Sequence, residues 1–234
     1  MKKIIVVLVL SLIGFNVSAN NNAKRLTESL IKDDISAFLD GGDAALDKEI
    51  PTVSASQLIN EYSNDQYQYE KTYDNEVVYI ITVASDVKTD SSDNAYIVAN
   101  GNNQDEYVSL ELKNKDDAIT INKGNTIEMI CVGTKNNVKF PTLKNCLTTD
   151  KYFQKFFKAM MTDINKLKKN DKPHNGFEAL YLGFWEFDIK HPGTLDKYET
   201  VFELSKNTSA FNEIVNIAES KTFDRSKKLI IPKP

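Results

Sequence analysis

An apolar leader followed by only two cysteines constrains this chain more than any other feature. Lys2 and Lys3 begin the leader, and an apolar run follows over residues 4–15. The small-residue pattern that signal peptidase reads then ends at Ala19. The apolar run is too short to be a good membrane span. The sequence therefore predicts a signal peptide over residues 1–19, cleaved after Ala19, and a periplasmic or secreted protein.

The two cysteines, Cys131 and Cys146, are candidates for a disulfide in an oxidising compartment. Such a bridge would close a loop of about 15 residues, which the chain-entropy estimate values at about 3 kcal/mol. Free or reactive thiols are the alternative, but a catalytic thiol needs a histidine partner, and both histidines lie far along the chain. A tight turn at residues 136–137 would leave the cysteines out of register, so the bridge requires a wider loop.

Charge is distributed unevenly. Residues 20–150 hold 12 Lys and Arg against 22 Asp and Glu, whereas residues 151–234 hold 15 against 11. The acidic part disfavours a nucleic-acid partner, because phosphate backbones are bound by clustered lysines and arginines. Arg25 and Arg225 are the only arginines. Their position outside the β-rich segment disfavours a secreted nuclease, which uses arginine to stabilise phosphate charge.

Hydrophobic periodicity predicts helices on both sides of a β-rich segment. It gives a helix over residues 23–39, a linker over residues 40–53 and a short helix over residues 55–62 capped by Ser54. Strand-like segments follow, with a hairpin turn at residues 100–102, over 76–86, 94–100, 105–112, 125–133 and 138–147. Further helices are predicted over 150–169, 176–190, 195–205 and 209–220. The tail at 229–232 is either an edge strand or a docked extension.

Residues 54–149 resemble a family of exported bacterial OB-fold proteins called tRNA_anti-like. The motif S-A-x-x-L-x-x-x-Y matches the segment from Ser54 to Tyr62, and K-G, C-x-G and L-x-x-C match Lys123-Gly124, Cys131-Val132-Gly133 and Leu143-Lys144-Asn145-Cys146. The resemblance implies an extended spacer after the short helix and then a five-stranded OB-fold barrel. The family-like spacing of the two cysteines adds support for their disulfide. Thr82 stands where the family usually has a glycine late in the first strand.

The chain is accordingly divided into a signal peptide (1–19), an N-terminal helix and linker (20–53), an OB-fold barrel (54–149) and a helical C-terminal region (150–234).

The first strand is nearly apolar on both faces, so helices of this chain or a partner protein must cover its outside. OB folds bind ligands on the second and third strands, which makes Tyr96 and Tyr107 candidate binding residues. Tyr79 and Ile81 are the candidates on the outside of the first strand.

Three further groups of residues have a structural and a functional interpretation. The aromatic residues of the 176–190 helix pack in a core or form a stacking platform: Phe177, Tyr181, Phe184, Trp185 and Phe187. The histidines lie at helix ends or on the surface, or His191 joins Asp188 in a zinc site that would need further ligands. The acids at Asp105-Glu106 and Asp116-Asp117 are solvated loop residues or hold calcium.

The sequence contains no catalytic constellation and predicts no cofactor and no metal. We expect an exported, non-catalytic module that binds, inhibits or links an envelope protein or a small ligand. An oligonucleotide- or glycan-binding protein is the alternative, and a hydrolase comes third. No nucleic-acid partner and no stable membrane anchor after cleavage are expected.

Overall fold

The computed structural model describes residues 2–135, 139–221, 229 and 231–234, and of residues 2–18 it describes the backbone alone. Its helices are α1 Lys2–Leu39, α2 Ala55–Asn64, α3 Gln66–Tyr73, α4 Thr149–Lys166, α5 Gly176–Lys190, α6 Val201–Ser205 and α7 Thr208–Ser220. Short 3-10 helices span Ala45–Lys48 and Lys115–Thr120. Within the described part of the chain, none of these helices combines the length and apolar character needed to cross a membrane.

The strands are β1 Thr52–Val53, β2 Val77–Val83, β3 Asp86–Thr89, β4 Ala95–Asn100, β5 Tyr107–Leu112, β6 Thr126–Gly133 and β7 Thr142–Thr148. The chain forms two compact units. Unit 1 contains Met1–Asp43 and Phe157–Ile230, and unit 2 contains Ala44–Phe156 and Ile231–Pro234. The N-terminal helix therefore groups with the C-terminal helices, and all seven strands belong to unit 2.

The strands of unit 2 form one sheet in the order β1-β2-β6-β7-β5-β4-β3. The pairs β1·β2 and β5·β7 are parallel, and the other neighbours are antiparallel. The five predicted strands are represented by β2, β4, β5, β6 and β7. The first, predicted over residues 76–86, breaks at Ala84 and Ser85, and β3 beyond the break shares only Asp86 with the predicted segment. The break lies two residues after Thr82, the position where the family usually has a glycine. The fold is thus a mixed α/β structure with a seven-stranded sheet.

The core of unit 2 lies between the sheet and α2, because α2 buries one apolar face. Ser54 caps this helix as predicted, since its side chain accepts a hydrogen bond from the Gln57 amide. Leu58 and Ile59 of α2 pack with fully buried strand residues, among them Ile80, Ile97, Val108 and Leu143. Apolar residues at alternate positions, such as Ile97 and Ala99 of β4, therefore contribute to this core.

The spacer after α2 is helical, and the expectation that it is extended is wrong. Asp65 caps α3 by accepting a hydrogen bond from the Gln68 amide. Tyr69 and Tyr73 are one helical turn apart and both are buried. The ring of Tyr69 packs against that of Tyr73 at 5.0 Å and edge-on against Tyr62 of α2 at 5.1 Å. An i, i+4 pair of large aromatic residues next to a capping aspartate thus outweighs the polar character of the segment.

The predicted disulfide between Cys131 and Cys146 is present, with 4.1 Å between the Cα atoms. The connection between β6 and β7 is wider than a tight turn, as the disulfide requires. Residues 136–138 lie outside the described residues. They include the positions of the possible tight turn, 136–137, and the predicted start of the fifth strand, 138. Asn145 has a positive φ of 54° at a register shift between β6 and β7. This bulge adds one residue to β7 and brings Cys146 beside Cys131.

Unit 1 is a helical bundle in which α5 packs against α1 and α7. Four of the five aromatic residues of α5 belong to its core, since Phe177, Tyr181, Phe184 and Phe187 are buried, whereas Trp185 is half-buried. The helix predicted over residues 195–205 is shorter than expected and forms only α6. Arg25 of α1 donates hydrogen bonds to the main-chain oxygens of Leu195 and Tyr198, in the turn before α6.

The C-terminal residues 231–234 form a docked extension on unit 2, one of the two predicted alternatives. The hydroxyl of Tyr152 donates to the main-chain oxygen of Pro232 at 2.9 Å. Lys155 and Lys113 donate to the main-chain oxygens of Lys233 and Pro234. Residue 230, also part of the predicted tail, lies outside the described residues.

Candidate functional site

The outer surface of β4 and β5 carries the candidate site. Along β4 the side chains of Ile97 and Ala99 are fully buried in the core, and along β5 so are Val108 and Leu110. Successive strand residues face opposite sides of a sheet. The outer surface is therefore formed by the residues between and beside them: Tyr96, Val98 and Asn100 of β4, and Tyr107, Ser109 and Glu111 of β5.

Two adjacent grooves lie on this surface and share Tyr96 and Tyr107. We call the two grooves with these tyrosines the Tyr96–Tyr107 face. The first groove has a volume of about 550 Å³ and is completed by Asp90, Asn94, Ala95, Ser109, Glu111, Lys139, Phe140, Pro141 and Thr142. The second has a volume of about 580 Å³ and is completed by Val83, Ala84, Ser85, Asp86, Lys88, Val98, Asn100, Gln104, Lys123 and Gly124. Each volume lies in the range of small-molecule sites.

An aromatic pair forms one wall of the first groove. The ring centroids of Tyr107 and Phe140 are 4.7 Å apart with a 43° angle between the planes. The ammonium group of Lys139 lies 5.1 Å from the centre of the Phe140 ring. Phe140 belongs to the loop before β7, so the pair joins a sheet residue to a loop residue. Half-buried rings of this kind offer flat apolar surface to a ligand.

The loop between β3 and β4 forms the opposite rim and is held by hydrogen bonds to Asp90. One carboxylate oxygen accepts from the amides of Ser92 and Asn94, at 2.8 and 2.9 Å. The other accepts from the side-chain amide of Asn94 at 3.0 Å. The Asn94 side chain, with help from these backbone amides, lowers the pKa of Asp90 below its ordinary value. Asp90 therefore stays ionised, and the loop has an ordered shape.

Charges on the Tyr96–Tyr107 face balance. Three lysines and three carboxylates line the two grooves: Lys88, Lys123, Lys139, Asp86, Asp90 and Glu111. The surrounding segment, residues 54–149, holds 8 Lys against 14 Asp and Glu and has no arginine. The face is therefore less acidic than the rest of the sheet region. Lys88 pairs with Asp86 at 3.6 Å, which neutralises part of the second groove.

Tyr79 and Ile81, the other two predicted binding residues, lie on β2 and line neither groove. Tyr79 is 2% exposed, and its hydroxyl donates to Glu128 at 2.6 Å. Burial, together with this hydrogen bond to a carboxylate, raises the pKa of Tyr79 above its ordinary value. Ile81 is 37% exposed. The structure thus brings together Tyr96 and Tyr107, and it places Tyr79 and Ile81 elsewhere on the sheet.

Both histidines lie at the ends of α5, as the structural interpretation predicts. His174 Nδ1 lies 2.9 Å from a carboxylate oxygen of Glu178, and His191 Nε2 lies 3.0 Å from Glu213. Asp188, considered with His191 as a zinc ligand, instead accepts a hydrogen bond from Asn22 at 2.7 Å. In the described ranges no group of three or more His, Cys, Asp or Glu side chains is arranged to hold a metal ion.

Asp117 differs from the expectation of a solvated loop acid. Asp117 is only 3% exposed, and one of its carboxylate oxygens forms an ion pair with Lys151. The acids Asp105 and Glu106 remain in the β4–β5 loop, where Glu106 accepts from the side chain of Asn103. A short 3-10 helix, absent from the predicted elements, turns Asp117 inward.

Sequence reasoning missed the loop residues of the site, Asn94, Lys139 and Phe140. Strand alternation identifies outward residues within strands, but it gives no information about which loop residues fold over a face. Phe140 and Pro141 were assigned to the fifth predicted strand (138–147), whereas the structure places them in the loop before β7.

Comparisons with known proteins relate this chain to a protein family and to a solved structure. The sequence model of the tRNA_anti-like family matches residues 1–147. The chain is similar to a solved structure of a candidate nucleic acid-binding lipoprotein from Klebsiella pneumoniae subsp. pneumoniae MGH 78578, with 15% sequence identity and a TM-score of 0.37. That match covers 43% of this chain and 92% of the lipoprotein chain. No curated protein is significantly similar to this chain.

Proposed function

Because this chain belongs to the tRNA_anti-like family, we propose that it is an exported OB-fold protein that binds a ligand on the Tyr96–Tyr107 face without altering it chemically. In this role it acts as a binding, inhibitory or adaptor module in the periplasm. The observation that carries the proposal is the pair of adjoining grooves that share two tyrosines. This surface spans the second and third of the five predicted strands, where OB folds bind their ligands.

Closure of the sheet into an OB barrel is part of the proposal. Apart from the two-residue β1, the ends of the sheet order are β2 and β3, which are consecutive in the chain. The Ser85 amide donates to Val98 of β4, and the Ala84 amide donates to Asn125 just before β6. The junction of β2 and β3 is thus hydrogen-bonded toward both sides, as one bent strand closing a barrel would be.

Export is supported by the disulfide and by the leader. Disulfides persist in oxidising compartments and are rare in the cytosol. Cys131 and Cys146 are both fully buried within unit 2, so the bridge belongs to the folded core. We expect the mature chain to begin at Asn20. Mass spectrometry of protein recovered from the periplasm tests this, and mature material that retains Met1 would contradict it.

A role in binding without catalysis is supported by the chemistry of the two grooves. Among their described lining residues are tyrosines, amides, hydroxyls and balanced charges, but no histidine, cysteine or arginine. Asp90, whose pKa is lowered, is poorly suited to act as a general acid. The grooves therefore offer stacking and hydrogen bonding in place of an activated nucleophile.

Oligonucleotide binding is the second candidate function, and one observation favours it. Tyr107 and Phe140 with Lys139 combine aromatic surface and positive charge, which is the composition of single-strand binding sites. The three carboxylates of the same face oppose it, because they repel phosphate. We therefore expect no complex with single-stranded DNA or RNA at micromolar protein and physiological salt in a gel-shift titration.

Affinity capture with matched variants tests the proposed function. The immobilised mature protein is incubated with periplasmic extract, next to a Tyr96→Ser/Tyr107→Ser variant and a Tyr67→Ser control. Tyr67 lies on α3 and is 63% exposed, so its loss changes tyrosine content without changing either groove. We expect wild type and Tyr67→Ser to retain the same component and the double variant to lose it. Equal retention by all three proteins would contradict the proposal.

A further inference from the structure

The C-terminal extension, residues 231–234, is held on unit 2 by four side chains. Three successive main-chain oxygens of the extension accept hydrogen bonds from Tyr152, Lys155 and Lys113, at 2.9, 2.7 and 2.8 Å. The ammonium group of the extension's lysine donates to the side-chain oxygen of Asn75 at 2.5 Å. We call these four side chains the extension site. None of the four lines either groove of the Tyr96–Tyr107 face.

We infer that the extension site is a second binding site, for extended proline-containing segments of partner proteins, and that the chain's own extension is a built-in competitor for it. The inference goes beyond the proposed function and does not depend on it, because the two sites use different residues. It rests on the fixed positions of the donors, on recognition through the main chain, on a pair of lysines and on the way the extension is attached.

The donors of the extension site are fixed by the fold of unit 2. The main-chain amide of Lys113 donates to the oxygen of Cys146, one end of the disulfide, at 3.0 Å. The amide of Asn75 donates to the oxygen of Gly133 in β6 at 3.0 Å. Tyr152, near the start of α4, is fully buried. The site is therefore preformed, which lowers the entropic cost of binding a segment.

Recognition of the extension is mostly recognition of its main chain. A carbonyl oxygen is present in every residue, so a segment of another protein can supply the same three acceptors. Pro232 and Pro234 have no N–H that binding would leave unpaired, and their restricted backbone loses little entropy when the segment is ordered. Proline-containing segments are bound in this extended form by preformed surfaces. Asn75 adds a preference for a basic residue between the two prolines.

Two neighbouring lysines favour an occupied site. Burial, together with the nearby charge of Lys113, lowers the pKa of Lys155. The two ammonium groups are thus close enough to repel each other. Oxygen atoms of a bound segment accept hydrogen bonds from both lysines and offset this repulsion. An empty site would leave the two cations together, so a segment with carbonyl oxygens at these two places is favoured there.

The extension is attached to unit 2 as a ligand would be. It follows Phe157–Ile230, which belong to unit 1, so its neighbours in sequence do not determine where it binds on unit 2. Ile231 and Pro232 are half-buried and Lys233 is exposed, and of the four residues only Pro234 is buried. No helix or strand is disrupted when these residues leave. While they are bound, the affinity for a partner is reduced by the fraction of molecules whose site is open.

Fluorescence anisotropy with labelled peptides and the full mature chain tests the inference. The probe is Gly-Ser-Val-Pro-Lys-Pro-Gly-Ser, which shares only Pro-Lys-Pro with the extension, and its control has alanine in place of both prolines. A released variant, Pro232→Gly/Lys233→Gly/Pro234→Gly, weakens the competitor and keeps the chain length. We expect the released variant to bind the probe about tenfold or more tightly than wild type, and to bind the control peptide about tenfold more weakly than the probe.

Two further variants and one independent measurement locate the binding. In the released variant, Tyr152→Phe removes the hydroxyl donor and should weaken the probe about fivefold or more. Lys158→Ala, at an exposed lysine of α4 outside the site, should leave the affinity unchanged. In the wild-type chain, saturating probe should shift the NMR signals of residues 231–234 as the extension leaves the site. This measurement decides the question if the released variant does not fold.

Several results would overturn the inference. The folded released variant could fail to bind the probe at millimolar concentration, Tyr152→Phe could bind it as tightly, or the wild-type signals of residues 231–234 could fail to respond. Binding of a peptide copied from residues 229–234, without binding of the probe, would show that the site serves the chain's own extension alone. A dimer that forms by light scattering in wild type but not in the released variant would identify a second copy as the occupant, against a partner segment.

Discussion

Gly133, at the end of β6, lies closer to a neighbouring backbone than any other residue type would allow. A Cβ atom at this position would be 1.9 Å from the main-chain oxygen of Tyr73. The Gly133 amide donates to Glu76 at 2.9 Å, and its oxygen accepts from Asn75 at 3.0 Å. The glycine of the C-x-G motif is thus explained by the close contact of β6 with the turn between α3 and β2.

Gly133→Ala should therefore destabilise the protein by at least about 3 kcal/mol, because backbone must move and both hydrogen bonds are strained. Gly176→Ala is the matched control, since a Cβ there meets nothing within 4 Å. Urea denaturation measures both free energies of unfolding. Similar values for the two variants would show that the contact at Gly133 relaxes easily.

Tyr181 gives unit 1 a dependence on alkaline pH. Burial raises the pKa of its hydroxyl from 10.0 to about 12, and the hydroxyl donates to Asn20 at 2.7 Å. Since the pKa is higher in the folded state, this contribution to stability is complete below pH 10 and is lost as the pH rises toward 12. Between these values Tyr181→Phe should lose less stability than wild type, by about 1–2 kcal/mol. The exposed Tyr67→Phe should follow the wild-type profile in the same denaturation series.

The residues of the face show how far single positions can be predicted. Tyr96 and Tyr107 follow from strand alternation and the OB-fold resemblance. Tyr79 and Ile81 were chosen for their apolar character, but burial and loop position decide which residues line a groove. Phe140 approaches Tyr107 through a loop, and no periodic pattern reports such a contact.

Among the elements, the pair of strands β6 and β7 is aligned by a β-bulge and joined by the disulfide. Asn145 occupies a left-handed backbone conformation, which asparagine adopts more readily than most residues. The bulge that it forms aligns Cys146 with Cys131. A direct count across a tight turn gives a different pairing, so the sequence pattern alone did not establish the register.

Replacement of the bridge by Cys131→Ala/Cys146→Ala should cost about 3 kcal/mol, the value for a loop of about 15 residues. Denaturation with and without a reducing agent checks this. Wild type should become less stable when reduced, and the double variant should be insensitive to the reducing agent. If the oxidised wild type and the variant unfolded at the same urea concentration, the bridge would have no stabilising role.

Helices and strands with regular patterns were predicted well, and each error has a physical cause in the structure. The bounds of α5 were predicted as the structure has them, because the capping Asn175 and the terminal Lys190 enclose an apolar stripe. The helix α3 was missed because its segment is polar apart from its tyrosines. The helix α6 was predicted too long, since nothing local shows that Arg25 binds the main-chain oxygens of the preceding turn.

At the scale of the whole molecule, the segment around residue 150 links the sheet to the helical C-terminal region. The start of α4 belongs to unit 2, which extends to Phe156. Tyr152, Phe153 and Phe156 are all buried, and Tyr152 bonds to the C-terminal extension. The compact unit that contains the sheet thus continues past Asp150 into the first turns of α4.

A chain truncated after Asp150 should aggregate or lose stability, whereas the full mature chain should unfold in one cooperative transition. The truncation removes three buried aromatic side chains, each worth about 1.5–3 kcal/mol. A chain truncated after Phe156 retains them and should be the more stable of the two. Light scattering and thermal unfolding distinguish the cases. A monomeric chain ending at Asp150 and as stable as the whole would instead favour β2 as a docking surface for a partner.

The central claim is that the mature protein binds its ligand on the Tyr96–Tyr107 face and leaves it unchanged. Its most direct test is an amide NMR titration of the mature protein with the component captured from the periplasm, recorded together with the spectrum of that component. The account predicts shift changes concentrated in β4, β5 and residues 90–94 and 139–142, with a ligand spectrum that stays constant over time. Shift changes confined to other residues, or a ligand that is converted to product, would contradict it.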